Sequence, residues 1–391
     1  MKQSPAPGMA LISFCNQASS PECALCLMDL ANGGIRWITL SKLPPELRQG
    51  LGGVCGMITQ GAKLIIVTQG SQPSLAIWDL STQELVSVAA LAYSKDPHSI
   101  VLNDGYIHIV STGTNEIYRV ALKDESLGEE ELYWQYPDVR HDRDEVHLNG
   151  LTLENRRLIA SCFGPRNGEG RWGCEGRVFY VDDGASIHEG LNQPHSPIIN
   201  GSRLAFAESK TGRVYLYVQS DDGAWTLQRE FDVGGYARGV AFAGQELLVG
   251  ISADRKVSRS QHRYLGEIQE NNPASLLCMD IYSGVARRVS RVDLWGRELY
   301  DVIPVGHVCE TDPIEVVLGA RLNGMESVIF DQAVGLQALQ DEMQRLSLEY
   351  RNVLNQYHDF KNKYHDLRAL HDKMLTVKWA RLIQTFTKAF R

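Results

Sequence analysis

The chain has 391 residues, 43% of them hydrophobic, and a formal net charge of −8. From Ala333 onward ten Lys/Arg stand against six Asp/Glu, so the tail is basic and the body strongly acidic. An acidic body excludes nucleic acid as a partner, because that affinity rests on neutralising phosphates, and no apolar run reaches the roughly 18 residues of a membrane-spanning helix.

At the N-terminus, Met1–Gly8 contains two Pro, and the apolar run from Met9 to Cys15 is too short for a secretory signal core followed by a cleavage site. The eight Cys are scattered. Cys23 and Cys26 form a single C-x-x-C with no second pair at zinc-ribbon spacing, so the cysteines read as reduced thiols of a cytoplasmic protein.

Next comes a tandem repeat. Leu11–Leu40 and Leu64–Leu91 share one plan: a strand, a polar gap, a strand ending in Asp-Leu, a turn and a further strand. The theme returns as LAFAES with VYLYVQSDDG, and as LLVGISA with LLCMDIYSG. An inner strand precedes each unit, with a polar start, a few apolar residues and a turn. His98, Asn149, His195 and Arg238 each stand nine residues before the apolar residue that resumes the next strand (Ile107, Leu158, Leu204, Leu247), and Cys55 precedes Leu64 by the same interval. Asp301, opening Asp-Val-Ile-Pro-Val, reads as the sixth member, after a long loop around Asp254–Pro273.

Four strands per unit in tandem is the signature of a β-propeller blade. The N-terminal unit begins at its second strand, and the last inner strand, Asp301–Val305, supplies the first strand it lacks. The expected fold is therefore all-β: a six-bladed β-propeller over 9–330 with N-/C-terminal strand closure, which leaves no open sheet edge. Glu315–Ala320 and Ser327–Phe330 also read as strands, in an outer hairpin or a seventh blade.

Beyond the propeller, a coiled-coil α-helix is expected over 333–374. Leu336, Met343, Tyr350, Tyr357, Tyr364 and His371 fall at a, and Leu339, Leu346, Val353, Phe360, Leu367 and Met374 at d. This pattern over 336–374 implies a homo-oligomer. Residues 375–391 form a basic amphipathic helix whose Leu375, Trp379, Leu382, Ile383, Phe386 and Phe390 share one face, suited to a peripheral membrane surface or a protein partner.

Propeller inner strands run along a central channel, so their first residues gather at one mouth. Cys55, His98, Asn149, His195, Arg238 and Asp301 form that ring, His147 lies on the same face two residues before Asn149, and Tyr300, Tyr236 and Glu208 flank it. His98, His147, His195, Asn149 and Asp301 are the expected ligands of one divalent metal ion: imidazoles suit Zn, Mn or Fe, and oxygens alone suit Ca. Arg238 is placed to hold a small polar or anionic ligand, with Tyr300, Tyr236 and Glu208. The alternative is that these groups satisfy one another and channel water. The Gly-rich loop from Gly164 lacks the Gly-Lys-Ser/Thr ending of a phosphate loop and reads as an ordinary connection. Arg140–Glu145 (RHDRDE) reads as a solvated charge run.

The phrases VHLNGLTL, LNQPHSPII, GYARGVAF and ELYDVIPV, at these spacings, resemble an uncharacterised bacterial propeller family known as a domain of unknown function, over most of residues 9–310. Asn149-Gly followed by a turn and a strand is also similar to propellers of the gluconolactonase and strictosidine-synthase type. That resemblance implies Ca²⁺ held by a Glu, two Asn/Asp and a further Asp; Asn149 and Asp301 match, while His98, His195 and Arg238 depart from it. The histidines are closer to propeller lyases that hold a metal with three His. Two functions follow: a metal-dependent hydrolase or lyase in which Arg238 fixes an anionic substrate, or a non-enzymatic ligand-binding scaffold multimerised by its coiled coil, in surface-glycan or peptide assembly.

Overall fold

The strand Lys63–Gly70 is buried over five consecutive residues and not at every second one. Its alternation sends Leu64 and Ile66 to one face and Ile65 and Val67 to the other. The first pair packs with Leu11 and Leu25 of the preceding sheet, and the second with Ile100, Ile107 and Ile109 of the following one. Each such side chain contributes about 1.5–3 kcal/mol on burial. A sheet apolar on both faces needs a sheet on either side, and a closed ring of sheets leaves none uncovered.

The computed structural model describes residues 8–16, 24–31, 33–253, 274–292 and 298–305, with Lys363, Arg368, Lys373 and Lys378, which are helical and exposed. Its strands form six four-stranded antiparallel sheets. Blades 2 to 6 are contiguous in sequence, over 51–90, 97–135, 148–191, 194–232 and 236–291. Blade 1 joins the two ends: its inner strand is Glu298–Pro304, followed outward by Met9–Cys15, Leu25–Asp29 and Ile35–Trp37. Leu11 lies opposite Ile303 and Ile12 opposite Val302. The six-bladed propeller and its shared closing blade are thus as the repeat implied. Apolar clusters fill the joints between neighbouring blades, such as the one that sets Phe14 against Leu248 and Leu276 across blades 1 and 6. The Asp that ends the third strand caps its own turn in several blades: Asp79 accepts from the Ser81 amide at 2.8 Å, and Asp280 from the Ser283 amide at 2.6 Å.

Inner and second strands keep one register. Thr59 faces Leu64, Leu102 faces Ile107, Leu153 faces Leu158, Ile199 faces Leu204 and Phe242 faces Leu247. Four residues earlier stand Cys55, His98, Asn149, His195 and Arg238, each at a β-bulge. In blade 1 the bulge falls between Leu299 and Val302, matching those between Pro97 and Ile100 and between Ala237 and Val240. The sixth ring residue is therefore Tyr300. Asp301, expected there, lies one position further along, because this inner strand pairs with Met9–Cys15 and no following hairpin strand fixes its register by the nine-residue interval.

At that next position blades 2, 4 and 6 carry Gly56, Gly150 and Gly239, where the inner strands approach most closely. A Cβ on Gly56 would lie 2.9 Å from the Ile100 nitrogen and 3.0 Å from the His98 oxygen, and one on Gly239 would lie 3.0 Å from the Asp301 Cα.

The chain divides into two compact units, Met1–Asp312 and Pro313–Arg391. The connection at 254–273, the strands expected at 315–320 and 327–330, the coiled coil over 333–374 and the amphipathic segment 375–391 lie outside the described residues, apart from the four helical positions. No helix among the described residues is long and apolar enough to cross a membrane.

Backbone atoms surround Gly56 and cannot retreat as a side chain does, so Gly56→Ala should cost about 1–3 kcal/mol, read as a lower urea midpoint at unchanged slope. Gly173→Ala, with open space around its Cβ, should leave the midpoint in place. Equal midpoints for the two variants would contradict the close approach of the inner strands.

Candidate functional site

The six ring residues, Cys55, His98, Asn149, His195, Arg238 and Tyr300, are at most 7% exposed. Tyr300 ties the ring together: its aromatic centroid lies 5.3 Å from that of His98 and 6.5 Å from that of His195, and the Arg238 guanidinium sits 5.6 Å from it. Two residues before each ring position stands a second tier, Gly53, Asp96, His147, Gln193, Tyr236 and Glu298. Gly53, Asp96, His147 and Gln193 have positive φ, a conformation in which Asp and His are enriched among non-glycine residues. This kink turns the strand entrance back on itself. His98 Nδ1 thereby lies 2.8 Å from the Asp96 carbonyl oxygen, and His195 Nδ1 lies 3.1 Å from that of Gln193.

The tautomers follow from these partners. A carbonyl oxygen only accepts, so His98 carries its proton on Nδ1 and its lone pair on Nε2. His195 Nδ1 has a second neighbour, Ser209 Oγ at 2.6 Å, and the Ser209 hydroxyl itself donates to the Ala237 carbonyl. With that proton committed, His195 Nδ1–H donates to Ser209 and Nε2 again holds the lone pair. His195 Nε2 is buried and has no hydrogen-bond partner among the described residues. Burial, then the Arg238 charge, holds His195 well below the ordinary histidine range, and burial likewise lowers His98 against the pull of Asp96. Both rings are therefore neutral at pH 7.

His147 Nδ1 lies 2.8 Å from Asp144 Oδ2, and its ring centroid lies 5.2 Å from that of His98. Burial works against the Asp144 charge, but His147 and Arg166 outweigh it and hold this carboxyl below its usual range. Arg238 supplies the cation of the site. Its Nη1 donates to Glu298 Oε2 at 3.1 Å and to Cys15 Sγ at 3.0 Å. Burial opposes the charge, yet the Cys15 and Glu298 fields keep Arg238 protonated. Arg238 Nε is buried with no partner among the described residues.

Not every residue expected at the site joins it. Asn149 is committed to the scaffold: Oδ1 accepts from Ser161 at 2.6 Å and Nδ2 donates to the Pro194 oxygen at 2.9 Å. Glu208 binds the turns of its own blade, accepting from the Asn192 amide at 2.7 Å and from the Tyr215 hydroxyl at 2.9 Å. Tyr236 donates to Gln193 Oε1 at 2.8 Å and carries the Arg238 guanidinium 5.2 Å from its ring. Asp301 accepts from the Met57 and Val302 amides at 3.1 and 2.8 Å. It lines a cavity of about 330 Å³ shared by all six inner strands, which Asn149 and Tyr300 also reach but the three histidines and Arg238 do not. Among the described residues no three or more His, Cys, Asp or Glu are grouped to hold a metal ion.

Other participants escaped the sequence reading. The run RHDRDE supplies Asp144. The Gly-rich loop supplies Trp172, whose ring centroid lies 4.9 Å from that of His147, and Arg166, which stacks 3.7 Å over Trp172 and lies 3.5 Å from Asp144. Glu298 and Cys15 come from the closing strands. The repeated Pro-His-Ser of Pro97–Ser99 and Pro194–Ser196 is the signal that singles out His98 and His195 as equivalent.

Residues 94–312, more than half of the chain, match the model of the family described as Domain of unknown function (DUF4915). The chain belongs to this family. No curated protein matches it. Among solved structures it is similar to the periplasmic gluconolactonase of Pseudomonas aeruginosa (14% identity, TM-score 0.47, 74% of this chain and 84% of that one). It is also similar to a protein from Lactobacillus plantarum (14%, 0.47, 76% and 98%) and to the Swd1 β-propeller domain of Myceliophteria thermophila (12%, 0.44, 71% and 84%). At these identities the activity of this family member has to be argued from its own site.

Asp301 makes one property of the channel measurable. Burial pushes its carboxyl up to about 7, although the Val302 and Met57 amides favour the ionised form. An unfolded Asp titrates near 4, so between about pH 4 and 7 the native state holds a proton that the unfolded chain has lost. Stability from this group is complete below that window and is lost as pH rises through it, by at most about 4 kcal/mol. Urea midpoints at pH 5 and 8 should fall for the wild type and change less for Asp301→Asn. The same pH dependence in both proteins would contradict the assignment.

Proposed function

We propose that the ring binds a small ligand carrying both an anionic group and a hydroxyl. The observation that carries this reading is the pair of buried, unpartnered atoms, His195 Nε2 and Arg238 Nε. Leaving a buried polar atom unpaired costs about 1–3 kcal/mol, a cost that a bound partner removes. The two atoms are complementary in kind: Nε2 accepts a proton and Nε donates one. A carboxylate or phosphate suits Arg238, and a hydroxyl donates to His195. The neutral His98 Nε2 offers a second acceptor on the same ring.

The same chemistry extends to catalysis. A neutral imidazole with its tautomer set by Ser209 is a general base, and a cation beside it stabilises the anion that proton removal creates. The reaction class we infer is proton abstraction from a hydroxyl of an anionic substrate, within the hydrolase or lyase chemistry that the sequence suggested. A metal-centred reading draws support from the acceptors that hold Nδ1 of His98, His147 and His195, since metal-ligating histidines are oriented in this way; it would use His98, His147 and His195 as ligands.

The test is a thermal-stability screen of the full chain with hydroxy acids, sugar acids and sugar phosphates, beside neutral polyols. Hydroxylated anions should stabilise it, by about 2.7 kcal/mol at one hundred times Kd. Neutral polyols should not, and Arg238→Met and His195→Ala should each abolish the effect. Stabilisation that survives both substitutions would overturn the reading. Metal near one equivalent in protein purified without chelator, lost on His98→Ala, would favour the metal-centred site instead.

A further inference from the structure

Blades 1 and 2 meet at two thiols. Cys15 ends the second strand of blade 1, and Cys55 holds the ring position of blade 2. Both are buried and pack in one cluster with Tyr300. Cys55 packs in that cluster beside Cys15, and burial pushes the Cys55 thiol well above its ordinary range. Cys55 is thus held as a thiol.

Cys15 is surrounded differently. Arg238 Nη1 donates to its sulfur at 3.0 Å and Asn16 Nδ2 at 3.6 Å. Its thiol also faces the Glu298 carboxylate, Oε2 at 3.7 Å, to which it donates, so the sulfur sits between a cationic N–H donor and a proton acceptor. The other described cysteines differ: Cys26, Cys162 and Cys278 are buried within blades, and Cys174 is exposed.

We infer that Cys15 and Cys55 form an oxidisable dithiol, in which Cys15 reacts with a hydroperoxide and Cys55 resolves the product to a disulfide joining the first two blades. In the first step the Cys15 sulfur attacks one peroxide oxygen, its proton passing to Glu298, and the O–O bond breaks. With hydrogen peroxide as oxidant, sulfenic acid forms on Cys15 and the departing hydroxide takes up that proton as water. In the second step Cys55 sulfur attacks Cys15 sulfur, the S–O bond breaks, and the Cys55 proton leaves with the hydroxyl as a second water. The sum oxidises two thiols and reduces one peroxide. The disulfide removes the sulfur acceptor from Arg238 and so alters the partners of the cation in the ring. The inference stands apart from the identity of the ring's ligand, since the reaction needs none.

The full-length protein treated with hydrogen peroxide should yield, on digestion without reductant, a cross-linked peptide pair containing Cys15 and Cys55, reversed by dithiothreitol. In Cys55→Ala the reaction should stop at sulfenic acid, captured on Cys15 by dimedone. The mapping on wild-type protein needs no variant to fold. Oxidation confined to Cys174 or to other cysteines, with Cys15 and Cys55 recovered as free thiols, would overturn the proposal.

Discussion

The strand Glu298–Pro304 carries two burdens at once. It is the only inner strand of the described blades that does not lead by a hairpin into its neighbour, and it completes blade 1 by pairing with Met9–Cys15. Without it, blade 1 would expose a sheet edge and blade 6 an apolar face. It also brings Glu298 and Tyr300 into the ring, and its partner strand brings Cys15. Among the described residues the buried guanidinium of Arg238, 5% exposed, has its one ion pair here, with Glu298. Removing one partner from a buried ion pair typically costs about 3–5 kcal/mol, so an open ring would lose the site electrostatics together with the sheet. Closure and site are therefore one structural event.

Around that cation the protein keeps its imidazoles neutral. Burial, the Arg238 charge and mutual proximity all disfavour protonation of His98 and His195, while carbonyl and hydroxyl acceptors commit their Nδ1 protons. The ring becomes one cation among neutral imidazoles, enclosed by aromatic walls from Phe163, Trp172, Tyr236 and Tyr300. Along the same channel Asp301 lies in a separate cavity, where burial favours its neutral form. The two neighbourhoods differ in chemistry because the histidines and Arg238 lie outside that cavity, while Asn149 and Tyr300 reach it from the ring.

The architecture was legible because it repeats. Nine residues separate each ring position from the strand that answers it, and five hairpins of identical register express that spacing. The ring histidines and Arg238 were legible for the same reason. What did not repeat was not read. Asp144, Arg166 and Trp172 lie in one connection of one blade, in segments whose composition resembles solvated loops. Cys15 ends a strand that looks like any other apolar run. Tyr300 and Asp301 exchanged roles because blade 1 has no hairpin to anchor its register. Asn149 matched a ligand-binding pattern in type but is held by Ser161 and Pro194, a commitment visible only in three dimensions.

His195 and His98 are neutral, Nδ1-protonated imidazoles in the ring that holds Arg238. Nitrogen-15 spectra of histidine-labelled protein measure tautomer and charge ring by ring, and His195→Gln and His98→Gln assign the signals. The account predicts that both residues show the Nδ1–H tautomer at pH 7 and that His195 remains neutral well below the usual histidine titration, near pH 6.5. An Nε2–H tautomer, or an imidazolium at His195 near neutral pH, would contradict it.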